Sequence, residues 1–83
     1  MTEPWTTAKL LAWAADDLKG RGHESPRLDA ELILSLVLGC DRIKLFTDPS
    51  RPMTPEELGV YKALHIRRRR GEPIAYLLSL IHI

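Results

Sequence analysis

At 83 residues the chain is long enough for one small domain, and an apolar fraction of 45% excludes disorder as its expected state. Its 12 basic and 11 acidic side chains give a formal charge of +1, so no general attraction to nucleic acid or to anionic membranes is expected. The single cysteine, Cys40, excludes an internal disulfide and a cysteine zinc site, and it fits a reducing cytoplasm.

The chain carries no pattern typical of secretion or membrane insertion. Residues 1–4 lack the basic segment of a signal peptide. The longest uncharged apolar stretch, residues 74–83, is too short to span a bilayer. We therefore expect a cytoplasmic protein with no membrane partner.

Turn signals divide the chain into helical segments. Each segment starts at a residue type that caps helix N-termini, and the long segments end at glycine. No run of useful length alternates as a strand would. The predicted fold is all-α, a small bundle of about four to five helices, with helices near 7–20, 26–38, 42–47 and 55–70.

The first predicted helix has one apolar stripe and two tryptophans at its edges. The stripe consists of Leu11, Ala14, Ala15 and Leu18. Trp5 precedes the N-cap, where it could pack as a hydrophobic staple against Leu10 or Leu11. Trp13 falls outside the stripe. It is either a rim residue lying on the bundle or a candidate contact for a protein partner, because tryptophan is enriched at binding hot spots.

The second predicted helix is apolar around most of its circumference, from Leu28 to Leu38, which is typical of a buried, central helix. Its narrow polar stripe holds Arg27, Glu31 and Ser35, with Arg27 and Glu31 paired four residues apart. Asp29 lies on the apolar side instead. An unpaired carboxylate there would be costly, so Asp29 needs a cation from another helix or the dipole at its own helix N-terminus.

The fourth predicted helix begins with a capping box formed by Thr54 and Glu57, with Pro55 between them. Its apolar stripe consists of Val60, Tyr61 and Leu64, with Leu58 at the edge. Arg68 continues that stripe toward the core side. We therefore predict a bidentate ion pair between Arg68 and Asp29, which would be a structural lock and not a catalytic dyad.

Four consecutive arginines, Arg67 to Arg70, end the fourth helix. Helical residues step by about 100°, so the four side chains point around the helix and form no single basic face. They also complement the helix dipole. Direct contact with nucleic acid is therefore not expected, although an RNA contact through Arg67–Arg70 stays open as an alternative, and Arg67 is kept as a second candidate contact for a protein partner.

No catalytic, cofactor-binding or metal-binding residue is predicted. His23, His65 and His82 have no metal-ligand spacing with Cys40 or with a carboxylate cluster. There is no glycine-rich loop between a strand and a helix and no credible catalytic triad. On its residues alone the chain is a non-catalytic helical module.

Three stretches resemble one protein family in order and spacing. They are Arg27-Leu28-Asp29-Ala30-Glu31-Leu32-Ile33-Leu34 with Val37-Leu38-Gly39, then Arg51-Pro52 with Thr54-Pro55-Glu56-Glu57-Leu58, and Arg68-Arg69-Arg70-Gly71-Glu72-Pro73-Ile74-Ala75-Tyr76-Leu77. Together, over about residues 5–77, they resemble the N-terminal domain of the release-factor glutamine methyltransferases, the HemK or PrmC family.

The resemblance implies a substrate-recognition domain that helps to seat class I peptide-chain release factors. In the family, a separate Rossmann-like domain binds S-adenosylmethionine and methylates the glutamine amide of the factor's Gly-Gly-Gln loop. The family's Asn-Pro-Pro-Tyr motif and cofactor loop are absent here, so the fragment is expected to be inactive alone. The alternative is a stand-alone helical adaptor.

The expected organisation follows from the same resemblance. Residues 1–72 would form the recognition bundle, and residues 73–77 would start the linker to a missing methyltransferase domain. Residues 78–83 depart from the family. They are what a transposon-end sequencing adapter encodes, so we expect this tail to be non-native and the chain to be truncated.

Overall fold

A computed structural model of the chain describes residues 5–81. It contains five helices, α1 (Thr7–Gly20), α2 (Pro26–Leu38), α3 (Arg42–Thr47), α4 (Pro55–Arg69) and α5 (Ile74–Ile81). The predicted all-α bundle is confirmed, and the part of the chain that the structure describes has no strand beyond an isolated bridge between Thr6 and Pro52. None of these helices is both long and apolar enough to cross a membrane.

The helix ends follow the capping residues. The Thr6 hydroxyl accepts a hydrogen bond from the Lys9 amide at the start of α1. At the start of α4, Thr54 and Glu57 form the predicted capping box, with hydrogen bonds of 3.1 and 3.0 Å. Gly39 ends α2 at a φ of 66°, in the left-handed region that favours glycine.

The second helix is central, as predicted, because α2 contacts each of the other four helices. The core cluster draws on α1 to α4 and on the segment before α4. Its buried members are Leu10, Leu11, Ala14, Ala30, Ile33, Leu34, Leu45, Met53, Tyr61 and Leu64. Trp5 packs against this cluster from the position before the N-cap of α1, where a hydrophobic staple is expected.

Backbone hydrogen bonds set the direction of the helices. The Thr7 amide donates to the Arg51 carbonyl, and the Met53 amide donates to the Trp5 carbonyl. These contacts hold the start of α1 beside the start of α4. Near the far ends, Asp17 of α1 contacts His65 and Arg69 of α4, so the two helices run in the same general direction.

Three sequence expectations about helix faces were wrong. Leu28 and Val60 are exposed, and Glu31, which was assigned to the polar stripe of α2, is buried. Among the described residues, no element covers Leu28 or Val60, whereas Arg27 of the same helix and Arg42 of α3 cover the Glu31 carboxylate. The buried polar residue of α4 is instead His65.

The fifth helix occupies the stretch that was assigned to the start of a linker. The Tyr76 and Leu77 amides donate to the Pro73 carbonyl, and the Leu77 side chain is fully buried. The sequence did not predict a helix over residues 74–81, because this apolar run is short and shows no clear helical period. The helix also continues into the predicted non-native tail as far as residue 81, residues 82 and 83 lie outside the described residues, and the origin of the tail stays a prediction.

Candidate partner-binding surfaces

Trp13 lies at the edge of the bundle on α1. Its ring packs against His65 with ring centroids 4.7 Å apart, and it meets Trp5 edge to face at 6.0 Å. The residue is 38% exposed. Two internal aromatic contacts therefore hold most of the ring against the bundle, and one edge remains available to a partner.

Beneath Trp13, the buried His65 is joined to α1 through Asp17. Nε2 of His65 lies 2.8 Å from Oδ2 of Asp17, and Nδ1 is buried with no hydrogen-bond partner among the described residues. Arg21 and Arg69 also approach the Asp17 carboxylate, at 3.3 and 3.6 Å. Burial raises the pKa of Asp17, but the hydrogen bond from His65 and the charge of Arg21 outweigh burial and hold that pKa below its ordinary value.

The ion pair predicted between Asp29 and Arg68 is present. Nε of Arg68 donates to Oδ2 of Asp29 at 2.9 Å, and the Asp29 side chain is buried. The pair is not bidentate, which corrects the expected geometry. Nη1 of Arg68 instead donates to the backbone carbonyl of Glu72 at 2.9 Å, because that carbonyl lies beside the end of α4.

Arg67, a candidate partner contact, is already engaged within the chain. Its guanidinium donates to both carboxylate oxygens of Glu72 at 2.8 to 3.2 Å, and it lies over the Tyr76 ring at 5.5 Å from the centroid. Arg67, Arg68 and Arg69 thus all have internal acidic partners. This arrangement weighs against a phosphate-binding site built from the arginine run.

Glu31 links α2 to the start of α3. Its carboxylate accepts hydrogen bonds from Arg27 at 2.9 Å and from Arg42 at 2.8 Å. Burial raises the pKa of Glu31, but these hydrogen bonds lower it by more, so the net pKa is below its ordinary value. The pairing with Arg27 was predicted, whereas the contribution of Arg42 was not.

The clearest exposed apolar surface lies on α3. Ile43 is 71% exposed and Phe46 is 55% exposed, and they are three residues apart, so they share one side of this short helix. We call these two side chains the α3 face. Leu45 points away from Ile43 on the helical wheel and is buried in the core. The same wheel, drawn from the sequence, would have identified the α3 face.

A cavity of about 190 Å³ lies beside α3. Its lining combines apolar, cationic and anionic side chains and consists of Thr7, Leu38, Cys40, Lys44, Leu45, Asp48 and Arg51. The Thr7 hydroxyl already donates to the Arg51 carbonyl, and the Arg51 guanidinium is held by Glu57. Its volume lies below the range of about 300–1,000 Å³ that is typical of cofactor pockets.

Among residues 5–81, no three histidine, cysteine, aspartate or glutamate side chains are grouped to hold a metal ion. The α3 face and the exposed edge of Trp13 are the candidate contact surfaces among the described residues.

Comparisons with known proteins identify the domain. Residues 9–78 match the family model described as the PrmC N-terminal domain. The chain is 41% identical over 76 residues to a release factor glutamine methyltransferase of Rhodopirellula baltica, a match that covers 92% of this chain and 26% of that protein. It is also 41% identical over 77 residues to the protein of the same name from Geobacter sulfurreducens, covering 93% of this chain and 27% of that protein.

The match is to one part of longer proteins, since the chain spans about a quarter of the length of these curated relatives. No solved structure matches the chain. The family match covers most of the chain, including the three stretches that carried the sequence resemblance. The chain therefore belongs to the family of PrmC N-terminal domains, which is found in release factor glutamine methyltransferases.

Proposed function

We propose that this chain is the substrate-recognition domain of a cytoplasmic protein-(glutamine-N5) methyltransferase. In this proposal it helps to seat a class I peptide-chain release factor, while a separate domain uses S-adenosylmethionine to methylate the glutamine of the factor's Gly-Gly-Gln loop. The observation that carries the proposal is the match of residues 9–78 to the PrmC N-terminal domain, in relatives named for release factors.

Within this proposal, the α3 face is the surface that binds the release factor. Two large apolar side chains on one side of a helix are costly to leave in water, and a partner would bury both at once. The cavity beside α3 could accept one protruding side chain of the partner. The edge of Trp13 is the second candidate, but its ring already packs on His65 and Trp5.

The alternative, a stand-alone adaptor that contacts RNA through Arg67–Arg70, has less support. Binding of phosphate requires guanidinium groups that are free to face it, and three of the four arginines are held by carboxylates of the same chain. No observation on the described residues favours an RNA partner.

A titration of the chain with a purified bacterial class I release factor tests the proposal. Replacing both Ile43 and Phe46 with serine should weaken binding roughly tenfold or more, because each contributes apolar area to the interface. Val60→Ser, which removes an exposed apolar side chain from α4, is the matched control and should leave the Kd unchanged.

The outcomes separate the parts of the proposal. Loss of binding in Trp13→Ala alone would move the surface from the α3 face to Trp13. Absence of binding at millimolar protein would contradict the recognition function. Tight binding of an RNA oligonucleotide that is lost in Arg70→Met would favour the alternative.

A further inference from the structure

The turn between α4 and α5 is held by two consecutive arginines acting on one residue. Arg67 binds the Glu72 carboxylate through two nitrogens, and Arg68 binds the Glu72 backbone carbonyl. The turn itself bends at Gly71, whose φ is 102°, a conformation that glycine adopts without strain. One glutamate is thus fixed through both its side chain and its backbone.

The contacts of these two arginines extend to neighbouring helices. Arg68 also holds Asp29 of α2, at 2.9 Å. Arg67 also lies over the ring of Tyr76, in the first turn of α5. Through Arg67, Arg68 and Glu72, which we call the α4–α5 clamp, the central helix, the end of α4 and the start of α5 are connected.

We propose that the α4–α5 clamp is a rigid coupling that fixes the direction in which α5 leaves the bundle, and with it the placement of the chain that follows the N-terminal domain in the longer family members. The inference depends on membership of the family and not on the choice of release factor as partner. Arg67, Arg68 and Glu72 act here as positioning residues, through their contacts with one another and with Asp29.

Apolar contacts and the clamp constrain α5 in different ways. The partly buried Ile74 and the fully buried Leu77 attach the first turn of the helix to the bundle, but apolar burial is non-directional and would permit a helix of eight residues to rotate about these two side chains. Hydrogen bonds from planar guanidinium groups restrict both distance and angle. An isolated exposed ion pair contributes little, whereas here two arginines share one anchor residue.

Electron paramagnetic resonance distances test the inference on the full chain. Spin labels at Ala12→Cys and Ser79→Cys, both exposed positions, are placed in a Cys40→Ser background and report α5 relative to α1. The parent chain should give one narrow distance distribution. The variant with Arg67→Met and Glu72→Gln should give a distribution roughly twofold wider, because only the non-directional apolar contacts of Ile74 and Leu77 then hold α5.

Two further variants make the test specific. Arg70→Met removes the exposed arginine of the same run and should keep the narrow distribution, and Arg67→Glu with Glu72→Arg should restore it by reversing the pair. An unchanged width in the Arg67→Met, Glu72→Gln variant overturns the inference. Loss of amide protection in α1 and α2 of that variant also overturns it, since the effect would then be one of global stability.

Discussion

Nε2 of the fully buried His65 in α4 lies 2.8 Å from the Asp17 carboxylate near the end of α1. A carboxylate near a helix C-terminus is disfavoured by the helix dipole, so its position there needs a compensating interaction. His65, Arg21 and Arg69 supply it. Because the low pKa of Asp17 keeps its carboxylate ionised, Nε2 donates the hydrogen bond and the buried Nδ1 is the ring nitrogen left without a partner.

We predict that Asp17→Ala lowers the free energy of unfolding by about 1–3 kcal/mol, because it leaves Nε2 of a buried imidazole without an acceptor. Urea denaturation followed by circular dichroism measures this change. Asp16→Ala, at the exposed neighbouring position, is the control and should change stability by less than about 0.5 kcal/mol. Equal effects of the two substitutions would mean that the contact with His65 does not stabilise the fold.

The lowered pKa of Glu57 makes the stability of the chain depend on pH in the acidic range. Hydrogen bonds from Arg51 and from the Thr54 amide lower its pKa from 4.5 to about 2. A carboxyl whose pKa is lower in the folded state adds stability above the unfolded pKa, and that stability is lost as the pH falls through the folded pKa. The contribution of Glu57 is therefore complete above about pH 5 and disappears between about pH 5 and pH 2.

We expect the parent chain to lose about 1–2 kcal/mol more stability than Glu57→Gln over that pH range. The full shift would imply about 3 kcal/mol, but the Arg51 side chain is 39% exposed and solvent screens the pair. Unfolding free energies measured in steps from pH 6 to pH 2 test this difference. Parallel curves for the two proteins would show that Glu57 does not titrate with folding.

The isolated chain should neither bind S-adenosylmethionine nor transfer a methyl group. The reason is that the sequence contains neither a glycine-rich cofactor loop between a strand and a helix nor the Asn-Pro-Pro-Tyr motif. Calorimetric titration checks the binding, with a full-length release factor glutamine methyltransferase as the positive control. Micromolar binding by the 83-residue chain would contradict the prediction.

The sequence was sufficient to predict the positions of α1 to α4, because local signals determine where these helices begin and end. Thr54 with Glu57 and the glycines after the helices act within one turn, so their effect is readable without the fold. The burial of Glu31 and His65 was missed because it depends on Arg42 and Asp17, which are 11 and 48 residues away. Likewise, α5 depends on the burial of Leu77 by the bundle.

The candidate surfaces also include some that the local sequence indicates and some that depend on distant contacts. Trp13 could be identified from the sequence because it falls outside the apolar stripe of α1. Arg67 was also a reasonable candidate, but its engagement by Glu72 depends on the turn that follows α4. The α3 face was not predicted, although a helical wheel over residues 42–47 separates Ile43 and Phe46 from the buried Leu45.

The last prediction concerns the energetic coupling between Asp29 and Arg68, whose side chains are 7% and 19% exposed. Removing one partner leaves a poorly solvated charge, so Asp29→Asn or Arg68→Met alone should each cost about 3–5 kcal/mol. The double variant should cost less than the sum of the single variants, because neither charge is then left without its partner. Arg68→Met also removes the donor to the Glu72 carbonyl, so it should be the more costly of the two single changes. Urea denaturation of the parent, both single variants and the double variant gives the coupling energy, with Arg70→Met as a control for loss of a positive charge. Strictly additive losses would show that the pair does not act as a structural lock between α2 and α4.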